Sequence, residues 1–198
     1  DVIWSYSGVR PLMDDEQENA QKASRDYSFE INSEKGKAPL ISVFGGKITT
    51  YRKLAEAATD KLCQFFPEAG GRWTKKGVLP GGDFANHEAL EETLRRDYPW
   101  LTEKVISRYV RTYGTTSYDI LRNCTSMEDL GIHFAGTLYE REVEHLVKNE
   151  WAMTSEDILW RRTKQGLYAS DSDIESLERY LMKTVTTETR KTALHHSA

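Results

Sequence analysis

From Asn86 to about Val185 the apolar residues recur three and four positions apart, in short segments separated by Gly, Pro and small polar clusters. That spacing puts each apolar set on one face of a helix, and segments this short hide such a face only by packing against one another. The pattern predicts a bundle. "NHEALEETLRRDY" opens it, with Asn86 placed to cap and Leu90 and Leu94 on a common face. "PWLTEKVISRYVRTYG" follows, with Pro99 early in the helix, Leu101, Val105, Tyr109 and Val110 inside, and Gly114 as the stop. "SYDILRN", "LYEREVEHLVKNEW", "TSEDILWRRTKQG" and "SDIESLERYLMKTV" continue the series. The last two open with capping-box patterns, Thr154 to Asp157 and Ser172 to Glu175. The end, "TTETRKTALHHSA", loses the period, so residues 186–198 read as a frayed tail.

The first part of the chain has a different character. "VIWSYSGV", "YSFEI" and "LISVF" are short, rich in β-branched and aromatic residues, and read as strands, two of them joined into a hairpin through "NSEKGKA". From Thr49 the period becomes helical, with Leu54, Ala57, Ala58, Lys61, Leu62 and Phe65 on one side, until Pro67 and the Gly70–Gly71 pair end the segment. "WTKKGVLPGGDF" then reads as a connection. The fold class expected is mainly α: a helical bundle over residues 83–185, preceded by a short β segment and one helix within residues 1–70, with 71–82 as linker.

Composition narrows the function. The 198 residues carry a formal net charge of -4, which argues against a nucleic-acid binder, so basic residues must act locally. Cys63 and Cys124 stand far apart without CxxC spacing, which indicates neither a disulfide framework nor a metal site and fits a reducing, cytoplasmic compartment. No apolar run approaches the roughly 20 residues that span a bilayer. The start, "DVIWSYSGVRPL", has no initiating methionine and runs straight into a strand-like segment, so the chain reads as a piece of something longer.

One stretch is chemically pointed. In "SVFGGKITTYR", Gly45, Gly46 and Lys47 stand between a strand-like run and a helix start. A strand entering a helix N-terminus presents backbone N–H groups and the positive end of the dipole, and glycines let a ligand approach closely. Lys47 adds a full charge, and Thr49 or Thr50 offers a hydroxyl. Equally, the glycines need serve only a tight turn. The spacing is not that of a P-loop. Arg10, held extended by Pro11, and Arg25, just before "YSFEI", are candidates to fork onto a phosphate or carboxylate if the strands bring them beside Lys47; each alone reads as a surface cation. Glu142 and His145 form a single E-x-x-H, which falls short of a carboxylate-bridged metal pair and reads as a solvated helix face. Arg161 and Arg162 sit near a helix C-terminus, where cations offset the dipole, and this structural reading is preferred over an interdomain clamp of two arginines beside a tryptophan. No G-x-G-x-x-G, no G-x-S-x-G and no nucleophile–base set is present, so no catalytic residue is assigned.

Taken together and in order, "SYSGVRPL", "SRDYSFEI", "SVFGGKITTYRKLAE", "VLPGG" and "ILWRRTKQGL" closely resemble the C-terminal part of the bacterial FAD-dependent, respiratory glycerol-3-phosphate dehydrogenases, over nearly the whole chain to about Lys183. The resemblance implies that residues 1–70 are the end of a flavin and substrate domain and residues 83–185 the family's helical C-terminal domain. It implies that Gly45, Gly46, Lys47, Ile48 and Thr49 lie beside the FAD isoalloxazine, and that Arg10, Arg25 and Lys47 hold the phosphate and oxygens of glycerol 3-phosphate. The implied reaction gives dihydroxyacetone phosphate, with electrons passed to a membrane quinone by an enzyme peripheral on the inner face of the cytoplasmic membrane; a homo-oligomer is one state this allows. The family's dinucleotide fingerprint and catalytic base fall outside this chain, which is therefore not expected to hold FAD or turn over alone. Two alternatives stay open: an oxygen-dependent glycerol-3-phosphate oxidase of the same family, and a non-catalytic helical interaction module.

Overall fold

The computed structural model describes residues 2–9, 26–34 and 37–195, with side chains through Thr184. The fold is mainly α, and the chain divides into two compact units, Asp1–Val78 and Leu79–Ala198.

In the first unit, β1 (Tyr27–Asn32) and β2 (Leu40–Gly45) form an antiparallel hairpin with Tyr27 opposite Gly45 and Asn32 opposite Leu40. A 3₁₀ turn at Ile48–Thr50 leads directly into α1 (Tyr51–Cys63). Lys61 of α1 sits 5.5 Å over the Phe29 ring. Beyond α1 the chain returns to it: Arg52 lies 3.2 Å from Glu56, the Thr74 hydroxyl bonds both, and Arg72 pairs with Asp60. No residue of α1 is fully buried. The strand expected over residues 2–9 does not form. Among the described residues the first sheet has two strands only, so this segment has no ladder to join, and Val2, Ile3, Tyr6 and Val9 are exposed.

The second unit contains α2 (His87–Asp97), α3 (Glu103–Tyr113), α4 (Ser117–Ile120), a short hairpin of β3 (His133–Ala135) and β4 (Leu138–Tyr139), α5 (Glu140–Glu150) and α6 (Asp171–His195). Leu94, Tyr109, Leu121, Leu138, Leu146 and Leu177, from six different segments, are fully buried in one core. At about 1.5–3 kcal/mol for each large apolar side chain buried, that core is the main source of the unit's stability.

Local chemistry explains most boundaries. Asn86 caps α2, its side-chain oxygen accepting from the Ala89 N–H at 2.8 Å. Gly114 ends α3 as expected: it has φ +55°, and a Cβ there would lie 1.9 Å from the Gly81 carbonyl, so the "VLPGG" turn and the helix end meet through two glycines. Thr154 and Asp157 bond reciprocally, the Asp157 N–H to the Thr154 hydroxyl at 3.1 Å and the Thr154 N–H to the Asp157 carboxylate at 3.0 Å.

Four expectations need correction. Pro99 lies outside α3, in the turn before it; Thr102 is the cap, accepting from the Val105 N–H. The second capping box is Ser170–Asp173 rather than Ser172–Glu175, because Asp173 bonds back to the Ser170 N–H and hydroxyl and so fixes the first helical residue at Asp171. The segment after Thr154 is not a plain α-helix: Asp157–Arg162 is wound as a π-helix, closed by the Thr163 N–H and hydroxyl on the Ile158 carbonyl. At the far end α6 is helical to His195, beyond residue 186 where the sequence pattern suggested fraying; no Gly or Pro follows Gly166 to stop it.

Candidate functional site

The glycine–lysine turn is built by the hairpin and α1. Gly45 ends β2 with φ +72° and Gly46 follows with φ +107°, a region that residues with a Cβ rarely enter. A Cβ on Gly46 would also come within 2.7 Å of Leu54 on α1. The second glycine therefore has a packing reason independent of any ligand: it lets the chain turn tightly enough for α1 to pack on the turn.

What the turn leaves open is equally specific. Lys47 is extended, exposed, and free of ion pairs among the described residues. Its carbonyl accepts both the N–H and the hydroxyl of Thr50 at 3.0 Å, so Thr50 closes the turn upon itself instead of capping α1. No side chain caps the 3₁₀ turn or α1, and neither has an acidic residue in its first turn. Ile48 is 88% exposed, and Thr49 is exposed. Gly45, Gly46, Lys47, Ile48 and Thr49 thus form one continuous accessible stretch at a helix N-terminal end with no internal anion. Arg10 and Arg25 lie outside the described residues.

The helical unit holds a polar cluster that the sequence did not disclose. Glu142 on α5 is completely buried, accepting from Arg108 Nη1 at 2.6 Å, from Arg108 Nη2 at 2.5 Å and from the Tyr113 hydroxyl at 2.5 Å. Arg108 also donates to the Thr137 hydroxyl at 2.5 Å and the Thr137 carbonyl at 2.7 Å, tying α3, α5 and the β3–β4 turn together. Burial alone would lower the Arg108 pKa, but the hydrogen bonds and charge of Glu142 outweigh it and raise it. Burial, with the Glu142 charge added, pushes the Tyr109 and Tyr113 phenols well above their ordinary range, so both stay neutral.

The E-x-x-H reading as a solvated face is overturned for both residues. Glu142 is inside, and the His145 side chain is only 10% exposed, its ring edge-on to Tyr113 and 3.1 Å from the Asn149 amide. One signal was available: Glu142 shares the helical face of Leu146, four residues on, and adjoins Val143. No cluster able to hold a metal ion occurs among the described residues. Arg161 and Arg162 serve the helical unit itself: Arg161 pairs with Glu156 and Asp157, and Arg162 donates to the Glu150 carbonyl at 2.8 Å.

A cluster-bearing helical unit joined to a glycine–lysine turn is matched by sequence comparison. The family described as the C-terminal domain of alpha-glycerophosphate oxidase covers residues 72–189, and the chain belongs to that family. Among curated relatives, it is 47% identical over 184 residues to the aerobic glycerol-3-phosphate dehydrogenase of Escherichia coli (strain K12), covering 92% of this chain and 37% of that protein. It is 48% identical over 182 residues to a glycerol-3-phosphate dehydrogenase of Pseudomonas aeruginosa, covering 91% of this chain and 36% of that protein. It is 47% identical over 175 residues to a D-erythritol 1-phosphate dehydrogenase of Brucella abortus, covering 87% and 35%. The chain spans little more than a third of the length of these relatives.

Proposed function

We propose that this chain is the C-terminal part of an FAD-dependent dehydrogenase that oxidises sn-glycerol 3-phosphate to dihydroxyacetone phosphate and passes the electrons to a membrane quinone. Residues 1–70 complete the flavin and substrate domain, 71–82 link, and 83–185 form the helical C-terminal domain. The observation that carries the reading is the Gly45–Thr49 stretch: an accessible helix N-terminal end, bare of acidic side chains and side-chain caps, with an exposed Lys47 beside it.

These residues fit an anionic flavin edge. Gly45, Gly46, Lys47, Ile48 and Thr49 would hold the isoalloxazine, and bound FAD supplies the hydride acceptor. The residues' own contribution is electrostatic. The helix end and the Lys47 ammonium favour negative charge at the ring's edge, and Lys47 with Arg10 and Arg25 neutralises and orients the substrate phosphate. Exposed apolar side chains on the same unit, Leu40, Val43, Phe44 and Tyr51 among them, are consistent with a larger domain packing here.

The Brucella relative, equally similar, is named for a different phosphorylated polyol, so a phosphate-bearing polyol is the substrate class and glycerol 3-phosphate its first candidate. The matched family's oxidase description keeps oxygen as the alternative acceptor. Contact with the membrane quinone is read from the family resemblance as peripheral, on the cytoplasmic face; no helix among the described residues is long and apolar enough to cross a membrane.

The test is a pair of substitutions in the longer enzyme. Lys47→Met keeps much of the stem and removes the charge, whereas Lys53→Met alters an exposed lysine on α1. A charged hydrogen bond is worth roughly 1.5–3 kcal/mol, so Lys47→Met is expected to lower kcat/KM for glycerol 3-phosphate about ten- to a hundred-fold with a quinone analogue as acceptor, while Lys53→Met changes little. Wild-type kcat/KM in both variants would reduce the glycine–lysine stretch to a turn. Faster turnover with oxygen than with the quinone analogue would select the oxidase.

A further inference from the structure

The helical unit contains a recess of about 620 Å³ remote in sequence from the glycine–lysine turn. One wall is α3, where Lys104, Ser107, Arg108 and Arg111 follow at three- and four-residue spacings and share a face. The opposite wall is the β3–β4 turn at Gly136–Thr137 together with Gln165 and Tyr168.

Among the described residues, no carboxylate lines this recess. Arg108 is fully engaged by Glu142 and Thr137 and so is a fixed part of the wall. Lys104 and Arg111 are different: both are exposed, and neither has an ion-pair partner among the described residues. Elsewhere in the same unit Arg95, Arg122, Arg141, Arg161 and Arg162 each face a carboxylate. Two exposed cations without a carboxylate partner thus flank the Glu142-paired Arg108 in one concave wall, a local positive patch in a chain of net charge -4 that an anion can meet.

The lining also distinguishes between anions. The acceptors of the turn are taken: the Thr137 carbonyl by Arg108, the Gly136 carbonyl by the His133 ring at 2.9 Å, and the Gln165 side-chain oxygen by the Thr137 N–H at 2.8 Å. Beside them stand the cationic donors Lys104 and Arg111 and the hydroxyls of Ser107, Thr112 and Tyr168, which can each donate or accept. Such a lining suits a ligand made of acceptor oxygens rather than a peptide, which brings N–H donors of its own. Lys104 and Arg111 are seven residues apart, about 10 Å along the helix axis, a span that an extended anion matches better than one carboxylate or one orthophosphate.

We propose that this recess is a binding site for an extended phosphoryl anion, a soluble di- or triphosphate chain, held at its two ends by Lys104 and Arg111. Its concavity favours a soluble ligand over a lipid surface. The site lies in the helical unit and stands apart from the Lys47 reading, so either can fail alone.

The probe is tripolyphosphate, titrated calorimetrically into the 198-residue chain at low and at moderate salt. Saturable one-to-one binding that weakens with salt is expected. Lys104→Gln with Arg111→Gln should weaken it roughly ten-fold for each cation removed, with an unchanged melting temperature. Arg122→Gln with Lys148→Gln, the same charge change elsewhere in the unit, should leave it within about two-fold. Equal weakening by both pairs would overturn the site, as would absence of binding. Binding to phosphatidylglycerol vesicles but not to tripolyphosphate would overturn it in favour of a lipid headgroup, and equally tight binding of a polyglutamate peptide would overturn the phosphoryl assignment.

Discussion

Residues 1–78 and 79–198 both carry large apolar side chains, and they dispose of them in opposite ways. In the helical unit the core runs from Leu90 to Leu181 and draws on every long helix. In the first unit no described side chain belongs to that core, α1 buries nothing completely, and Leu40, Val43, Phe44, Ile48 and Tyr51 stay exposed. A hydrophobic period shows that a face will be covered, but not whether the covering lies in the same stretch of chain. Residues 79–198 bury most of their apolar pattern in their own core, whereas the hairpin and α1 leave much of theirs exposed.

The sharpest way to break this contrast is through the buried pair. Glu142→Ala leaves the Arg108 guanidinium without its carboxylate in the wall of the core and is expected to destabilise the helical unit by about 3–5 kcal/mol in urea unfolding. Arg108→Met with Glu142→Met together should cost much less than Glu142→Ala alone, because no charge is then left unpaired. A double variant as unstable as the single would show that the cluster acts through shape and not charge.

A smaller effect is expected at the start of α2. Asn86→Ala removes the side-chain acceptor from the Ala89 N–H and should cost about 1 kcal/mol, read as a shift in the urea midpoint with unchanged slope.

The smallest is pH-dependent. The Thr125 N–H and hydroxyl hold the Asp129 carboxyl below the usual carboxylate range; burial opposes them, and the Ser126 N–H and hydroxyl add to the lowering. A lowered folded pKa means that this contribution is present above the unfolded value, near 4, and is lost as pH falls through the folded value. The difference in melting temperature between wild type and Asp129→Asn should therefore shrink between pH 6 and pH 3, values about two units above and one below that range. A difference constant with pH would contradict the assignment.

How much of this was legible in the sequence follows the reach of each interaction. Asn86, Gly114 and the Thr154–Asp157 pair act within four residues of themselves, and their types announced them. The Gly45–Gly46–Lys47 turn was equally visible, although the contact of Gly46 with Leu54 that makes the glycine necessary was not. Glu142 was misjudged because its partner Arg108 lies 34 residues away, and a carboxylate among charged neighbours reads as solvent-facing until that arginine is placed. The β3–β4 hairpin escaped for a related reason. Three residues and two are too few to show alternation, and a Gln165 side chain from 28 residues further on holds the turn. Ser170 took the capping role from Ser172 because Asp173, not Glu175, stands three residues beyond it.

The contrast between the units is tested most directly by amide hydrogen exchange, followed by mass spectrometry on the 198-residue chain and on the longer enzyme side by side. Peptides spanning Leu90–Leu181 are expected to exchange equally slowly in both. Peptides spanning Tyr27–Cys63 are expected to exchange rapidly in the chain alone and to become protected in the longer enzyme, most of all around Gly45–Thr49. Equal protection of Tyr27–Cys63 in the two would contradict the claim that this unit's exposed face is completed by the rest of a flavin and substrate domain.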